Sequence, residues 1–526
     1  MTPPAEAATV SEADRQGGVL GFLDGSGFGA AKGGRRIDTH ASVVFLGGDR
    51  ALKIKRAVRL PFLDYSTLEK RRLACEEELK VNAGNAPEIY RRVVAITRRN
   101  DGALEIGGTG APVEWAVEMA RFDEERTLDR IAEAQPIAPS LAIALADTIL
   151  QAHNKAPRAG GENWLASILP IIDRNTAKFR SVRGLAAAAI DQLDARSHDH
   201  VTMLRTLLAR RAGQGFVRRC HGDLHLANIA LVDGRPLLFD AIEFDPDLAT
   251  TDILYDFAFT LMDLVHFGNN AAANILFNRY LAGASDENLD GLAVLPLFLS
   301  MRAAIRAHVI FMKSEQAGSG EAAWHDAKHY FDLAGRLAMP KRPLLIAIGG
   351  LSGTGKSVLA RGLAGMIEPV PGAVIVRSDV VRKRLFDVSE TTGLPEAAYQ
   401  ADTSQRVYET LAKTAQRALA QGCSVVLDAS FMQQTQRTGL FDLARGHNAR
   451  FVGLFLTADL ATRLARIEQR KHDASDATRD VALRQEVSEI GAIDWHVIDA
   501  SGSPDDTLHR SMAWLSAPGP ASRGGR

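Results

Sequence analysis

Cysteine is scarce in this 526-residue chain: Cys75, Cys220 and Cys423 are the three, and they lie far apart. That spacing builds neither a disulfide framework nor a thiolate metal site, and it suits a reducing compartment. Net charge is almost absent. Lys and Arg number 62 against 63 Asp and Glu, a formal −1 at pH 7. There is thus no global basic field of the kind that draws a protein onto nucleic acid. No uninterrupted apolar run reaches ~18 residues, so no membrane span is expected. The first residues, MTPPAEAATVSEADRQ, carry acids and no apolar core, unlike a secretory leader. Internal repeats and a GxGxxG motif are also missing. These absences predict a cytoplasmic protein, without membrane partners and with nucleic acid an unlikely one. What is present is an ordinary globular composition, 46% hydrophobic and 24% charged, over a length that calls for more than one domain. Residues 1–25 and 517–526 read as flexible tails.

The most informative stretch is 217–247, VRRCHGDLHLANIALVDGRPLLFDAIEFDPD. His221-Gly222-Asp223 is followed at the fifth position after the Asp by Asn228. An apolar run from Pro236 to Phe239 then delivers Asp240. The gap between Asn228 and Asp240 fits a β-hairpin turning at Asp233-Gly234. Phosphoryl transfer needs one carboxylate at the attacking hydroxyl, and an amide oxygen plus a second carboxylate to hold Mg²⁺. Asp223, Asn228 and Asp240 supply these groups in that order.

This stretch resembles the aminoglycoside phosphotransferase family, the choline/ethanolamine kinase-like proteins whose fold is related to protein kinases. The resemblance implies Asp223 as catalytic base, Asn228 and Asp240 as metal ligands, and His221 as a scaffold residue. It departs after Asp240, where Ala241-Ile242-Glu243 stands. Glu243 is left either near the metal or on substrate. The implied fold is an α+β bilobal kinase-like domain over about 26–338, with a sheet lobe to about 125 and a helical lobe from about 126.

Upstream, residues 36–56 read as short strands broken at His40-Ala41-Ser42 and Gly47-Gly48-Asp49. The resemblance would place the Thr39–Ser42 turn over the phosphates; a plain hairpin turn accounts for it equally. Leu52-Lys53-Ile54-Lys55 closes the third strand. A kinase-like lobe takes one lysine here for the phosphates. Alternation puts Lys53 and Lys55 on one face, so periodicity cannot choose between them; the family's apolar-Lys-apolar pattern favours Lys53. Ser66 reads as the cap of a helix to about Asn82, with Glu69 completing a capping box. One of Glu76, Glu77 and Glu78 is expected to pair with the strand lysine, and Glu77 is the residue chosen. In the later helix DILYDFAFTLMDL, Asp252, Asp256 and Asp263 fall within ~40° of one face. By resemblance Asp256 braces the catalytic loop.

Past Met339-Pro340-Lys341-Arg342-Pro343, a linker at 339–343, the character changes. The buried-type strand Leu344–Ile348 runs into Gly350-Leu351-Ser352-Gly353-Thr354-Gly355-Lys356-Ser357 and then a helix. This is a P-loop in its proper context. Its amides and helix N-terminus cradle phosphate. Lys356 is expected on the β/γ-phosphates and Ser357 on Mg²⁺. Strands ending near Asp379 and Asp428 place both acids where open α/β sheets bind ligands. Asp428 fits a metal-holding acid and Asp379 the acid that activates an acceptor hydroxyl, with Arg382 one turn on. Arg463, Arg466 and Arg470, with His472–Asp480, resemble the lid of nucleoside-monophosphate-type kinases, which assigns Arg466 and Arg470 to ATP.

Residues 344–512 thus read as an α/β P-loop domain with a parallel sheet. It resembles the small-molecule kinases that include gluconate kinase and zeta-toxin-like proteins, and the order of the halves resembles bacterial fusions of the two families. The implied activity is that of a bifunctional ATP- and Mg²⁺-dependent kinase, each half phosphorylating a hydroxyl of a small molecule. A regulatory ATP-binding protein with one inactive half, or a polynucleotide 5′-kinase in the P-loop half, are the alternatives.

Overall fold

The computed structural model describes residues 12–26, 28, 34–60, 63–317, 320–470, 473–488 and 490–516. The chain divides into two compact units. One comprises residues 1–137, 147–168 and 208–263, the other residues 138–146, 169–207 and 264–526.

The first unit is built on a six-stranded antiparallel sheet. Its order is Arg35–Asp38, Ser42–Gly47, Arg50–Lys55, Ala111–Ala120, Tyr90–Arg98 and Leu104–Ile106. Alternation along the strands sorts side chains to two faces. Val43, Phe45, Leu52, Ile54, Val94 and Ile96 go to one, where Val19 and Leu23 join them. Leu46, Ala51, Val117 and Met119 go to the other, against Cys75, Ile89 and Leu237. Lys53 and Lys55 share the face of Ala51, which the helix Leu68–Asn82 covers. That shared face decides which acids they meet.

Two expectations are corrected here. The tail expected over residues 1–25 is a helix from Glu12 to Gly25. Its Val19 and Leu23 are buried in the core, and Gln16 donates to the Lys55 carbonyl and the Glu114 carboxylate, each at 2.8 Å. A few apolar side chains and one buried amide fix a segment whose composition reads as polar. The part of that tail before Glu12, the tail at 517–526, and His472 lie outside the described residues. The helix expected to be capped by Ser66 is capped by Thr67, whose hydroxyl accepts from the Lys70 amide at 3.3 Å. The Ser66 hydroxyl is already committed to Asp64.

In the second unit the helix Leu295–Ala317 lies against Glu321–Leu337, with Ser300 donating to the Ala334 carbonyl at 2.9 Å. The span Leu292–Glu315 is long and apolar enough to cross a membrane, with a mean hydropathy of 1.5, but 67% of that window is buried inside the protein. A core helix has this pattern.

The same unit holds a parallel five-stranded sheet in the order Val374–Arg377, Val425–Asp428, Leu344–Gly350, Arg450–Thr457 and His496–Asp499. Ile346, Ile348, Val426 and Leu454 are fully buried beneath the helices Lys356–Ala364 and Pro504–Ser516. Parallel strands covered on both faces read as continuous apolar runs. The strand His496–Asp499 escapes that pattern because two of its four residues are exposed.

The helix Asn270–Gly283 seats against this sheet's connections. Buried Asn274 donates to the Pro371 carbonyl at 3.1 Å and the Ala373 carbonyl at 3.0 Å. Asn278 accepts from the Ile375 amide at 2.8 Å. Arg417 reaches Asp290 at 2.9 Å and Asp286 at 3.0 Å. The linker expected at 339–343 lies within the second compact unit. Asn274→Ala leaves the buried Pro371 carbonyl without its donor, which costs about 1–3 kcal/mol. The partly exposed Arg417→Ala is expected to cost under about 1 kcal/mol. Urea unfolding followed by tryptophan fluorescence should show the larger fall in midpoint for Asn274→Ala; equal shifts would remove the buried junction as a stabilising element.

Candidate active sites

In the first unit, the face shared by Lys53 and Lys55 meets the helix Leu68–Asn82 at Glu78. Lys53 Nζ lies 2.8 Å from Glu78 Oε1 and 2.5 Å from Asp240 Oδ1. Lys55 Nζ takes the other Glu78 oxygen at 2.5 Å and pairs with Glu243, which also accepts from Tyr65 at 3.1 Å. Burial alone lowers the pKa of either lysine, but the facing carboxylates outweigh it and both are raised: Asp240 and Glu78 act on Lys53, Glu78 and Glu243 on Lys55. Burial works against the charged form of Glu78 as well, and the two lysines still hold it below the ordinary range.

These contacts separate what sequence left together. Glu78 is the partner of the strand lysine, in place of the expected Glu77. The Glu77 carboxylate instead faces Lys80 on the exposed side at 2.9 Å. Adjacent residues on a helix point about 100° apart, and only Glu78 points inward. Of the two lysines, Lys53 reaches Asp240, while Lys55 is enclosed by Glu78 and Glu243. Glu243 therefore faces a buried lysine. The Thr39–Ser42 turn closes on itself, with Thr39 Oγ1 donating to the Ser42 carbonyl and accepting from its amide.

The stretch from His221 to Leu226 is held by two buried carboxylates, Asp256 and Asp263. Asp256 accepts from the Gly222 amide at 2.8 Å and the His221 amide at 3.3 Å, as the resemblance implied. Asp263 accepts from the Leu226 amide at 3.0 Å. Asp252 takes a bidentate pair from Arg211 at 2.7 and 2.8 Å. Gly222 sits at φ 83°, and a Cβ there would stand 3.0 Å from the Ala249 backbone. Only glycine fits both demands. His221 hydrogen-bonds the Phe239 carbonyl at 2.9 Å, and burial lowers its pKa.

Between Ile229–Val232 and Arg235–Leu238, Asp233 and Gly234 both adopt positive φ, as a tight hairpin requires. The Phe239 amide bonds the Asn228 carbonyl at 3.0 Å, which brings Asn228 beside Asp240. Asn228 Nδ2 donates to the Asp223 carbonyl at 2.9 Å and to its carboxylate at 3.2 Å. The amide oxygen is thereby left as the group Asn228 can offer a cation. Asp240 itself adopts φ 60°, with its amide taken up by the Tyr90 hydroxyl at 3.1 Å. Its side chain is 43% exposed. An amide oxygen and a half-exposed carboxylate are hard oxygen donors, which suits Mg²⁺. His225, 3.4 Å from the Asp223 carboxylate, had no signal in the sequence beyond its place in the loop.

In the second unit, Gly350, Gly353 and Gly355 all take positive φ, and the helix Lys356–Ala364 begins directly after them. Lys356 Nζ donates to the Leu351 carbonyl at 2.9 Å. Burial lowers its pKa, against the attraction of Asp428 and Asp379. Ser357 Oγ lies 2.5 Å from Asp428 Oδ2, a hydroxyl and a carboxylate with the chemistry to hold Mg²⁺. Asp379 falls one residue into the helix Ser378–Leu385. Burial raises its pKa, and the neighbouring Asp428 adds to the effect.

These groups line a cavity of about 1280 Å³, along with Arg466, Arg470, Tyr399 and Gln485. Arg463 is instead fully enclosed, donating to the Ser352 carbonyl at 3.0 Å and pairing with Glu486 at 2.5 Å. It braces the P-loop. Arg466 donates to the Gly502 carbonyl at 2.7 Å and Arg470 to the Ser475 carbonyl at 3.4 Å. Arg382 is stacked on Tyr399 at 4.8 Å and donates to the Ala398 carbonyl at 2.5 Å. Sequence reasoning missed Arg377, which touches both Ser357 and Asp428. Its position just before Ser378-Asp379 was the available signal.

Comparison with known proteins finds two matching stretches. Residues 46–295 match the phosphotransferase enzyme family, and residues 345–488 match a family described as AAA domain. An uncharacterized protein of Mycobacterium tuberculosis is 29% identical over 491 residues, 91% of this chain and 95% of its own length. The same figures hold for an uncharacterized protein of Mycobacterium bovis. Among solved structures, a choline/ethanolamine kinase family protein from Mesorhizobium loti is 15% identical and covers 61% of this chain and 94% of its own, with a TM-score of 0.37. A gluconokinase from Sinorhizobium meliloti is 18% identical over 33% of this chain and 92% of its own, with a TM-score of 0.24. The chain thus joins a stretch that matches the phosphotransferase enzyme family, residues 46–295, to one that carries the P-loop and matches the AAA-domain family, residues 345–488.

Proposed function

We propose that each half is an ATP- and Mg²⁺-dependent phosphotransferase acting on a hydroxyl of a small molecule, in the cytoplasm. The observation that carries this reading is the convergence on Asp240 of a strand lysine, Lys53, already paired with a helix acid, Glu78. Two carboxylates and a buried ammonium at that point serve to orient a triphosphate rather than to pack a core.

In the first half, Lys53 neutralises phosphate oxygens, and Asn228 and Asp240 would hold the metal. Asp223, its carboxylate fixed by the Asn228 amide, takes the proton of the attacking hydroxyl. In the second half, the P-loop amides and Lys356 cradle the phosphates, with Arg466 and Arg470 on the same cavity. Ser357 and Asp428 would hold the metal there. Asp379 takes the acceptor proton, for which a raised pKa suits a group that must exchange protons near neutral pH. Bound Mg²⁺ supplies charge neutralisation and alignment of the phosphates. The protein contributes position and fixed charge in place of covalent chemistry.

An ATP-consumption screen over a library of hydroxylated metabolites tests the reading on the full chain, with each half silenced in turn. For an acceptor of the first half, Asp223→Asn is expected to cut turnover by roughly 10²–10⁴ while Mg·ATP affinity stays within a few-fold. Near-normal turnover would remove Asp223 as the base. Calorimetry with a non-hydrolysable ATP analogue should count two binding events in the wild type. Lys356→Ala should remove one of them and Lys53→Ala should weaken the other alone. Loss of both events in Lys356→Ala would refute two chemically independent sites.

A further inference from the structure

Arg377 ends the strand Val374–Arg377, the residue before the helix that carries Asp379. Its guanidinium makes three contacts with functional oxygens. Nε lies 3.2 Å from Asp428 Oδ2, Nη2 lies 3.0 Å from Ser357 Oγ, and Nη2 also lies 3.0 Å from Asp473 Oδ1. The side chain is 13% exposed. The Ser357 hydroxyl has one proton, and at 2.5 Å that proton goes to Asp428. What Arg377 meets is therefore the lone pair of Ser357 Oγ, the electrons a cation would use.

Resting on the reading of Ser357 and Asp428 as the metal-holding pair, we infer that Arg377 is a built-in cation of that pair, which a divalent metal ion must displace, with Asp473 as the acid that receives the guanidinium when it leaves. A buried guanidinium cannot leave a carboxylate for nothing, because an unpaired buried charge is costly. Asp473 supplies the second berth. It is held in place by the Ser475 amide, which donates to Oδ1 at 3.0 Å. The displaced cation thus stays paired and near the cavity. Metal entry in this half becomes an exchange of one cation for another, and the P-loop site is charge-balanced before nucleotide arrives. Three residues on, Asp476 is engaged separately, by Lys383 at 2.5 Å and by the Tyr399 hydroxyl at 2.5 Å. Asp473 is therefore the acid of this stretch that faces the metal pair.

The test is Mn²⁺ binding measured by electron paramagnetic resonance on the full chain. Asp240→Ala is present throughout, to silence the metal pair of the first half. Without nucleotide, Arg377→Gln should bind Mn²⁺ about tenfold more tightly than its parent, the scale set by removing one like charge a few ångströms from the ion. Asp428→Asn added to Arg377→Gln should erase the gain. Asp473→Asn should act in the opposite direction and weaken Mn²⁺ binding, because the guanidinium then has only the Ser357–Asp428 pair. Unchanged affinity in Arg377→Gln, or tighter binding in Asp473→Asn, overturns the inference. Should Arg377→Gln fail to fold, the sign of the Asp473→Asn effect decides it alone. A separate arm tests the metal pair itself. ATP-dependent Mn²⁺ binding by the parent should be lost in Asp428→Asn. If it survives, the metal pair was misassigned. If it is lost while Arg377→Gln changes nothing, only the role of Arg377 falls.

Discussion

Buried positive charge is the constraint around which both units are organised. A triphosphate must be met by cations that water does not screen, and a cation removed from water must be paired until the ligand comes. The first unit answers with carboxylates. Glu78 is shared by Lys53 and Lys55, Asp240 takes the other side of Lys53, and Glu243 closes on Lys55. Both ammonium groups are held charged as a result, their pKa values raised in spite of burial. The second unit answers with backbone. Lys356 donates to a P-loop carbonyl, and burial lowers its pKa. The lysines of the two units are thus shifted in opposite directions by their surroundings.

Backbone geometry serves that constraint. Asp240 occupies a left-handed conformation that a non-glycine residue adopts at a cost of order 1 kcal/mol or more. The position is over-determined by neighbours: the Tyr90 hydroxyl holds its amide, and Asn82 Oδ1 accepts from the next amide at 2.8 Å. Asn82 belongs to the helix that carries Glu78, so one helix holds both the partner of the lysine and the backbone next to Asp240. The Asp256 carboxylate does the equivalent for the loop before Asp223, gathering the amides of His221 and Gly222.

The parts of this arrangement carried by local chemistry were legible in the sequence. The Asp233-Gly234 turn, the P-loop glycines and the spacing from Asp223 to Asn228 are properties of neighbouring residues. The strand Arg50–Lys55 could be placed, but the partner of its lysine could not. Glu77 and Glu78 differ only in which way a helix is rotated, and tertiary packing decides that. The helix Glu12–Gly25 was illegible for a related reason. Its stability comes from Val19 and Leu23 beneath a distant sheet and from Gln16 on Lys55 and Glu114, none of which a local pattern records. Asn274 and Asn278 were equally silent. An asparagine on a helix has no signature until the carbonyls and amides it meets are known.

Set side by side, the two acids proposed to hold metal, Asp240 and Asp428, show a common arrangement reached by unrelated chains of residues. Asp240 carries Lys53 at 2.5 Å, and Asp428 carries Arg377 at 3.2 Å. In each case a second carboxylate stands on the far side of the cation, Glu78 for Lys53 and Asp473 for Arg377. The second acid is what makes the first one available. Without it the cation would be bound to a single partner, and any competing ion would have to supply the whole cost of stranding a buried charge. With it, the cation is shared between two acids and can give one up while staying paired. Glu78 is wholly buried and is held by Lys55 as well. Asp473 is 20% exposed and feels the attraction of Arg470 as well as that of Arg377. The first unit thus holds its lysine through a wholly buried acid, and the second holds its arginine through a partly exposed one.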